Sequence, residues 1–250
     1  MNTALSVARD VTDDALLNGR VRLRQPKTGY RAAIDPVLLA AAVRASGSAR
    51  VLDAGCGTGA ATFCLAARLP LVDVSGLERQ PELAALAQEG VALNNLSARA
   101  RIVQGDLMAL PDLICAYPFD IVMTNPPYAD GGTVSPDAQV AAAHHESDAD
   151  LGQWIAACVG LLKPKGRLVL IHRADRLSEI LSCLKLRCGD IRITPLFPKP
   201  GEPARRVIVD AGLDRKTGDT LHPGLVLHGP DGAFTPKAQA ILRDGLPLAA

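Results

Sequence analysis

The sequence predicts an α/β protein built on an open, doubly wound sheet of seven strands. Short apolar runs alternate with helical periodicities along the chain. A glycine-rich loop joins the first of these runs to a helix, and acid or amide residues follow several others, at the edge where such a sheet meets its ligands. A length of 250 residues suits one such domain with additions, and no second independent domain is expected.

The elements follow in order. Residues 49–54 read as a buried strand, leading through the glycine loop into an alanine-rich helix over 60–68. The next strand spans 72–78. Pro81 sits where a first helical turn tolerates proline, and Leu83, Ala87, Val91 and Asn94 follow about one turn apart. Residues 101–104 and 119–123 supply the third and fourth strands. Asp150 opens a helix whose apolar positions are Leu151, Trp154, Ile155, Cys158, Val159 and Leu162, and Lys163-Pro164-Lys165-Gly166 ends it. Strand five covers 167–171, a helix 177–184, strand six 191–195 and strand seven 207–210. Thr235-Pro236 reads as an N-cap and first-turn pair for a short helix to Arg243.

Composition bounds the function. A hydrophobic content of 48% with 21% charge describes a water-soluble globule, and a mean hydropathy of +0.15 reflects alanine rather than bilayer spans. Residues 1–14 carry acids and lack a basic start with an apolar core, so no secretory signal is expected and the cytoplasm is the expected location. Six cysteines at 56, 64, 115, 158, 183 and 188 show neither CxxC pairs nor zinc spacing, and read as small core residues in a reducing compartment. The net charge of +1 excludes a globally basic nucleic-acid binder. Its distribution is uneven, however. Arg20, Arg22, Arg24, Lys27 and Arg31 run without an intervening acid, and basic residues outnumber acids over 185–216. Folding can bring both stretches to one rim, where they would hold phosphates; solvated surface is the competing reading.

Val51-Leu52-Asp53-Ala54-Gly55-Cys56-Gly57-Thr58-Gly59 carries the first chemistry. Gly55, Gly57 and Gly59 allow a tight turn and close approach of a ligand, because no Cβ intervenes. The spacing is GxGxG rather than the GxGxxG of dinucleotide sites, and Asp53 precedes it. A carboxylate there repels a pyrophosphate but favours the ammonium and sulfonium of S-adenosylmethionine. Glu78, closing the second strand, can accept both ribose hydroxyl hydrogens of an adenosyl group. Asp106, after the third strand, can accept from an adenine amino group while Leu107 packs on the ring. Each acid alone would more simply be a cap or surface residue; three acids at three successive strands favour the cofactor reading.

Thr124-Asn125-Pro126-Pro127-Tyr128 follows the fourth strand. The Asn125 side-chain carbonyl and the Pro126 main-chain carbonyl can each accept one N–H of a planar amine, Pro127 stiffens the turn, and Tyr128 can stack on the base. An amine conjugated to a ring shares its lone pair, so two acceptors that pyramidalise the nitrogen make it nucleophilic. No strong general base is required beforehand. His144-His145-Glu146 reads as a loop or substrate rim, no metal is expected, and His172-Arg173 reads either as acceptor-pocket border or as surface.

With these residues the chain resembles the class I S-adenosylmethionine-dependent methyltransferases from about Arg22 onward. The Asn-Pro-Pro-Tyr stretch, with Leu23-Arg24-Gln25-Pro26 and Asp35-Pro36-Val37-Leu38-Leu39-Ala40, is similar to the bacterial tRNA adenine-N6 methyltransferases that modify valine tRNA. Those proteins usually read Ala-Arg-His-Glu where this chain has Ala143-His144-His145-Glu146. The resemblance implies a Rossmann-like sheet, mostly parallel with an antiparallel final strand. It also implies one domain over 1–250: an extension over 1–48 covering the cofactor pocket, with Asp35 capping a helix or closing that pocket, a catalytic core over 49–212, and a hairpin with a short helix over 213–250. The implied activity is methyl transfer to an exocyclic adenine amine of RNA, tRNA being the expected partner, with the chain a monomer or homodimer. Two alternatives stay open: N5-methylation of a glutamine in a protein such as a translation release factor, and a non-catalytic cofactor- or RNA-binding module.

Overall fold

In a computed structural model, residues 10–28, 31–127 and 151–248 are described. The central parallel strands carry short apolar stretches, such as Val51-Leu52, Ile121-Val122-Met123 and Leu168-Val169-Leu170-Ile171, buried because helices cover both faces of the sheet. These strands are β3 (Arg50–Ala54), β4 (Asp73–Glu78), β5 (Ala100–Gln104), β6 (Phe119–Thr124) and β7 (Leu162–Arg173), with β8 (Cys188–Phe197) and β9 (Arg206–Leu213) completing seven long strands in the order β8-β9-β7-β6-β3-β4-β5. β9 runs antiparallel to both neighbours, as expected. Two strands of two residues each, β10 (Thr220–Leu221) and β11 (Leu225–Val226), add in parallel to the outer edge of β8 and bring the sheet to nine.

Before the sheet come two strands that the apolar pattern did not suggest, β1 (Val11–Leu16) and β2 (Val21–Pro26), paired as an antiparallel hairpin, then helix α1 (Asp35–Ala42). Helices α2 (Ala60–Arg68), α3 (Pro81–Leu93), α4 (Asp112–Cys115), α5 (Leu151–Gly160), α6 (Leu177–Leu184) and α7 (Pro236–Leu242) follow the expected positions, α4 excepted, which had no expectation. The Thr235 hydroxyl accepts from the Ala238 N–H at 3.2 Å, the capping bond expected of the Thr-Pro pair. Residues 227–235 form a small antiparallel turn with a His228–Phe234 bridge.

The apolar core lies in two layers. On one face of the sheet, α1, α2, α7 and the β1–β2 hairpin bury Leu23, Leu38, Leu39, Phe63 and Ile241. On the other, α4, α5 and α6 bury Ile114, Ile155, Cys158, Ile180 and Leu184. Strand five starts earlier than expected. The helix stops at Gly160, and Lys163-Pro164-Lys165-Gly166 lies inside β7, where the pairing with β6 shifts register. Lys165 has φ +66°, and a Cβ on Gly166 would lie 2.9–3.0 Å from the carbonyls of Lys163 and Asp120, so the chain irregularly rejoins the sheet instead of breaking from it. Among the described residues, no helix is long and apolar enough to cross a membrane.

Strand order fixes where a ligand can sit. β4 and β5 lie to one side of β3 while β6 and β7 lie to the other, so the sequence of strands reverses between β3 and β6. Ala54 and Thr124, the last residues of those two strands, are register partners. The glycine loop and Asn125 therefore leave the sheet side by side.

Candidate active site

The glycine loop is held by backbone. The N–H groups of Gly55 and Cys56 both donate to the Leu77 carbonyl of β4, at 2.9 and 3.0 Å, and Gly59 N–H donates to Cys56 O at 2.9 Å. Gly55, Gly57 and Gly59 all have positive φ, of 75°, 56° and 89°, as the glycine reading required. The space beside Gly57 that a Cβ would occupy is open, which leaves room for a ligand against the backbone.

Glu78 is 6% exposed and binds this loop directly. Its Oε2 accepts from Gly57 N–H and its Oε1 from Gln80 N–H, each at 2.8 Å. A carboxylate has about four lone-pair sites, so two remain for a ligand. Asp53 lies below the loop, 2% exposed, its Oδ2 accepting from the Thr62 hydroxyl at 2.7 Å. Burial pushes its carboxyl up to about 7, against the stabilising Thr62 hydrogen bonds, and the charge of Glu78 raises it further. The same burial and the same two acids hold the Cys56 thiol well above its ordinary range, so it stays protonated.

Asp106 takes part in a turn: its Oδ1 accepts from Met108 N–H at 2.8 Å. Leu107 is buried in the apolar layer with Leu77 and Ile114, while its neighbour Met108 is exposed. Asp35 is the first residue of α1 rather than its cap, which is Ile34. Its Oδ2 accepts from Arg206 Nε at 3.1 Å, tying α1 to the start of β9.

Beyond β6, Thr124 is fully buried, Asn125 is half-buried with its Oδ1 shielded from solvent, Pro126 is buried and Pro127 exposed. Tyr128 lies outside the described residues, as do His144, His145 and Glu146. His172, near the end of β7, is 2% exposed, so it is no surface residue. Burial and the nearby Arg176 guanidinium lower its imidazole to about 4, which keeps it neutral at pH 7.

Sequence reasoning misses two contributors. Thr62 is signalled only by its place one turn into α2, and Trp154 reads as one more apolar helix position. Trp154 in fact donates from Nε1 to the Thr124 hydroxyl at 2.9 Å.

Comparison with known proteins gives the family. Residues 33–184 match the family described as the methyltransferase small domain. A Porphyromonas gingivalis protein named tRNA1(Val) (adenine(37)-N6)-methyltransferase is 33% identical over 226 residues, which cover 85% of this chain and 87% of that protein. An Aeromonas hydrophila protein of the same name is 28% identical over 206 residues, 81% of this chain and 84% of its own length. Among solved structures, that of an Agrobacterium tumefaciens protein described as a predicted O-methyltransferase superposes with a TM-score of 0.71 at 28% identity, covering 86% of this chain and 99% of that one. The match over 33–184 takes in the glycine loop, Glu78, Asp106 and Asn125, and the chain belongs to the methyltransferase small domain family.

Proposed function

We propose that this enzyme uses S-adenosylmethionine to methylate the exocyclic N6 amine of an adenine in tRNA. The observation that carries the reading is the emergence of Asn125-Pro126-Pro127, followed in sequence by Tyr128, beside the glycine loop at the reversal of strand order, together with one third identity to proteins named as tRNA adenine-N6 methyltransferases. When bound, the cofactor supplies an electrophilic methyl group on a sulfonium sulfur.

The residues present fit that cofactor. The open space at Gly57 accepts a ligand against bare backbone, and Asp53 and Glu78 give the crevice the negative character that suits a cationic sulfonium and ammonium. Glu78 would hold the ribose hydroxyls through its remaining lone pairs. Asp106 and Leu107 would border the adenine, and Gly55 and Gly59 would shape the loop around it. Asp35, joined to Arg206, would close the side of the pocket nearest β9.

For the acceptor, Asn125 Oδ1 and the Pro126 carbonyl each take one N–H of the amine, draw its lone pair out of conjugation, and stabilise the positive charge that develops on nitrogen. Pro127 fixes the turn and Tyr128 stacks on the flipped base. The proton leaves to solvent afterwards, since an N-alkylated anilinium-like nitrogen is strongly acidic. His172, neutral and buried, takes no proton in this scheme.

The test is incubation of the protein and labelled S-adenosylmethionine with tRNA from a strain lacking this gene, followed by nucleoside analysis. N6-methyladenosine is the expected product, with adenine 37 of valine tRNA, named for the relatives, mapped first. A ribose-methylated nucleoside would instead favour oxygen chemistry, as described for the A. tumefaciens protein. No incorporation into tRNA, with cofactor bound, would move the acceptor to a protein glutamine amide.

A further inference from the structure

We propose that Trp154 is a positioning residue that locks the glycine loop and the Asn125 turn into one rigid unit. The indole Nε1–H donates to Thr124 Oγ1 at 2.9 Å, and that hydroxyl in turn donates to the Ala54 carbonyl at 2.8 Å. Thr124 is the residue before Asn125, and Ala54 the residue before Gly55, so this short chain of hydrogen bonds ties together the origins of both loops. The hydroxyl has one hydrogen, and accepting from the indole while donating to Ala54 fixes its rotor.

The ring does more than donate. A Cβ on Gly55 would lie 3.0 and 3.1 Å from Trp154 Cζ2 and Cη2, so the far edge of the indole rests against the first glycine of the loop. Trp154 stands in the first turn of α5, whose Leu151, Ile155, Cys158 and Val159 anchor it in the apolar layer. One rigid side chain on a well-packed helix therefore touches the cofactor loop at one edge and the strand end of the acceptor turn at its nitrogen. Displacements near 1 Å between reacting groups cost about a hundredfold in rate, so such a brace bears on turnover more than on binding.

The inference rests on the acceptor reading of residues 125–128, and its test separates the two. Trp154→Phe keeps an aromatic ring in the apolar layer and loses both the donor and the ring edge at Gly55. Thr124→Val loses the relay, and Thr124→Ser keeps it. In single-turnover methylation at saturating cofactor and tRNA, Trp154→Phe and Thr124→Val should each slow the reaction about tenfold, with KM for tRNA within about twofold, Thr124→Ser near the parent, and the double variant no slower than either single. In hydrogen exchange on the free protein, the amides of Gly55, Cys56, Gly57 and Gly59 should exchange about tenfold faster in the Phe and Val variants and unchanged in the Ser variant. A parent inactive on tRNA defeats the acceptor reading, and the exchange experiment still decides the brace. Loop exchange at parental rates in Trp154→Phe, with only thermal stability lowered, would overturn it.

Discussion

A buried carboxyl at the base of the glycine loop makes the ligand-free protein sensitive to pH at Asp53. Its hydrogen bonds come from Thr62, and burial outweighs them, so its value rises to about 7 from an ordinary 3.8. Because the folded value lies above the unfolded one, the stability this group contributes is full below about pH 4 and is lost as pH rises through 7. A cation bound beside it reverses that penalty by favouring the charged form. S-adenosylmethionine should therefore bind about tenfold more tightly at pH 8 than at pH 6, and raise the melting temperature more at the higher pH. Asp53→Asn should flatten that dependence in calorimetric titrations; a variant retaining the parental slope would remove Asp53 from the cofactor's electrostatics. Asn125 bears on rate instead. Asn125→Ala should lower kcat about a hundredfold with cofactor affinity kept, read by single-turnover methylation beside a binding titration. Residue by residue, most of the candidate site was legible: Asp53, Glu78 and Asn125 announce themselves as polar residues at the ends of apolar strands. Thr62 and Trp154 did not, because a threonine in an alanine-rich helix and an apolar residue at helical spacing look like packing until their partners are known.

Among the elements, one aromatic ring sets how α2 meets α3. Phe63 is fully buried, and a Cβ on Gly59 or on Gly90 would stand only 2.5 Å from its ring. The phenyl group is thus pinched between the start of α2 and the last turn of α3. Alanine at position 90 would gain about 1 kcal/mol of helix propensity, yet overpacking of this kind costs about 1–3 kcal/mol, so Gly90→Ala should be destabilising on balance. Urea unfolding should show a lowered midpoint, recovered in part by adding Phe63→Leu; a raised midpoint in the single variant would mean that the helices are free to separate. Apart from the four-residue α4, the order of strands and helices from β3 to β9 was legible because buried parallel strands and amphipathic helices have distinct periods. The β1–β2 hairpin was not. Its signal, Asn18-Gly19 between two short alternating segments, is obscured by Asp13 and Asp14 on one strand and Arg22 and Arg24 on the other, which leave only Leu17, Val21 and Leu23 to show a buried side.

For the whole molecule the question is where positive charge is left for a polyanion. Within the acid-free run from Arg20 to Arg31, three of the five cations meet acids: Arg24 pairs with Asp13 and with Glu89 of α3, Lys27 with Asp10, and Arg31 with Asp14. Linear sequence hides this, because the acids arrive from the neighbouring strand. The second basic stretch divides. Arg192 joins Arg167 in an ion network with Asp190 and Asp210, whereas Arg205 stands before β9, whose first residue, Arg206, is in register with Arg173 at the end of β7. β7 is the neighbour of β6, so Arg205 lies off the same edge as Asn125, about two strand spacings or 10 Å across the sheet and about three residues, roughly 10 Å, further out along it. Its side chain is 76% exposed and meets Glu202 at 3.8 Å, an exposed pair too weak to hold it from a phosphate. Each phosphate contact adds about 0.7 to 0.9 to the slope of log affinity against log salt. Arg205→Ala should therefore reduce the slope for tRNA by about that amount, while Arg24→Ala, whose guanidinium already serves two carboxylates, should leave it unchanged. Filter binding across a salt series distinguishes them, and equal losses in the two variants would mean that the hairpin, rather than the carboxyl edge of the sheet, faces the nucleic acid.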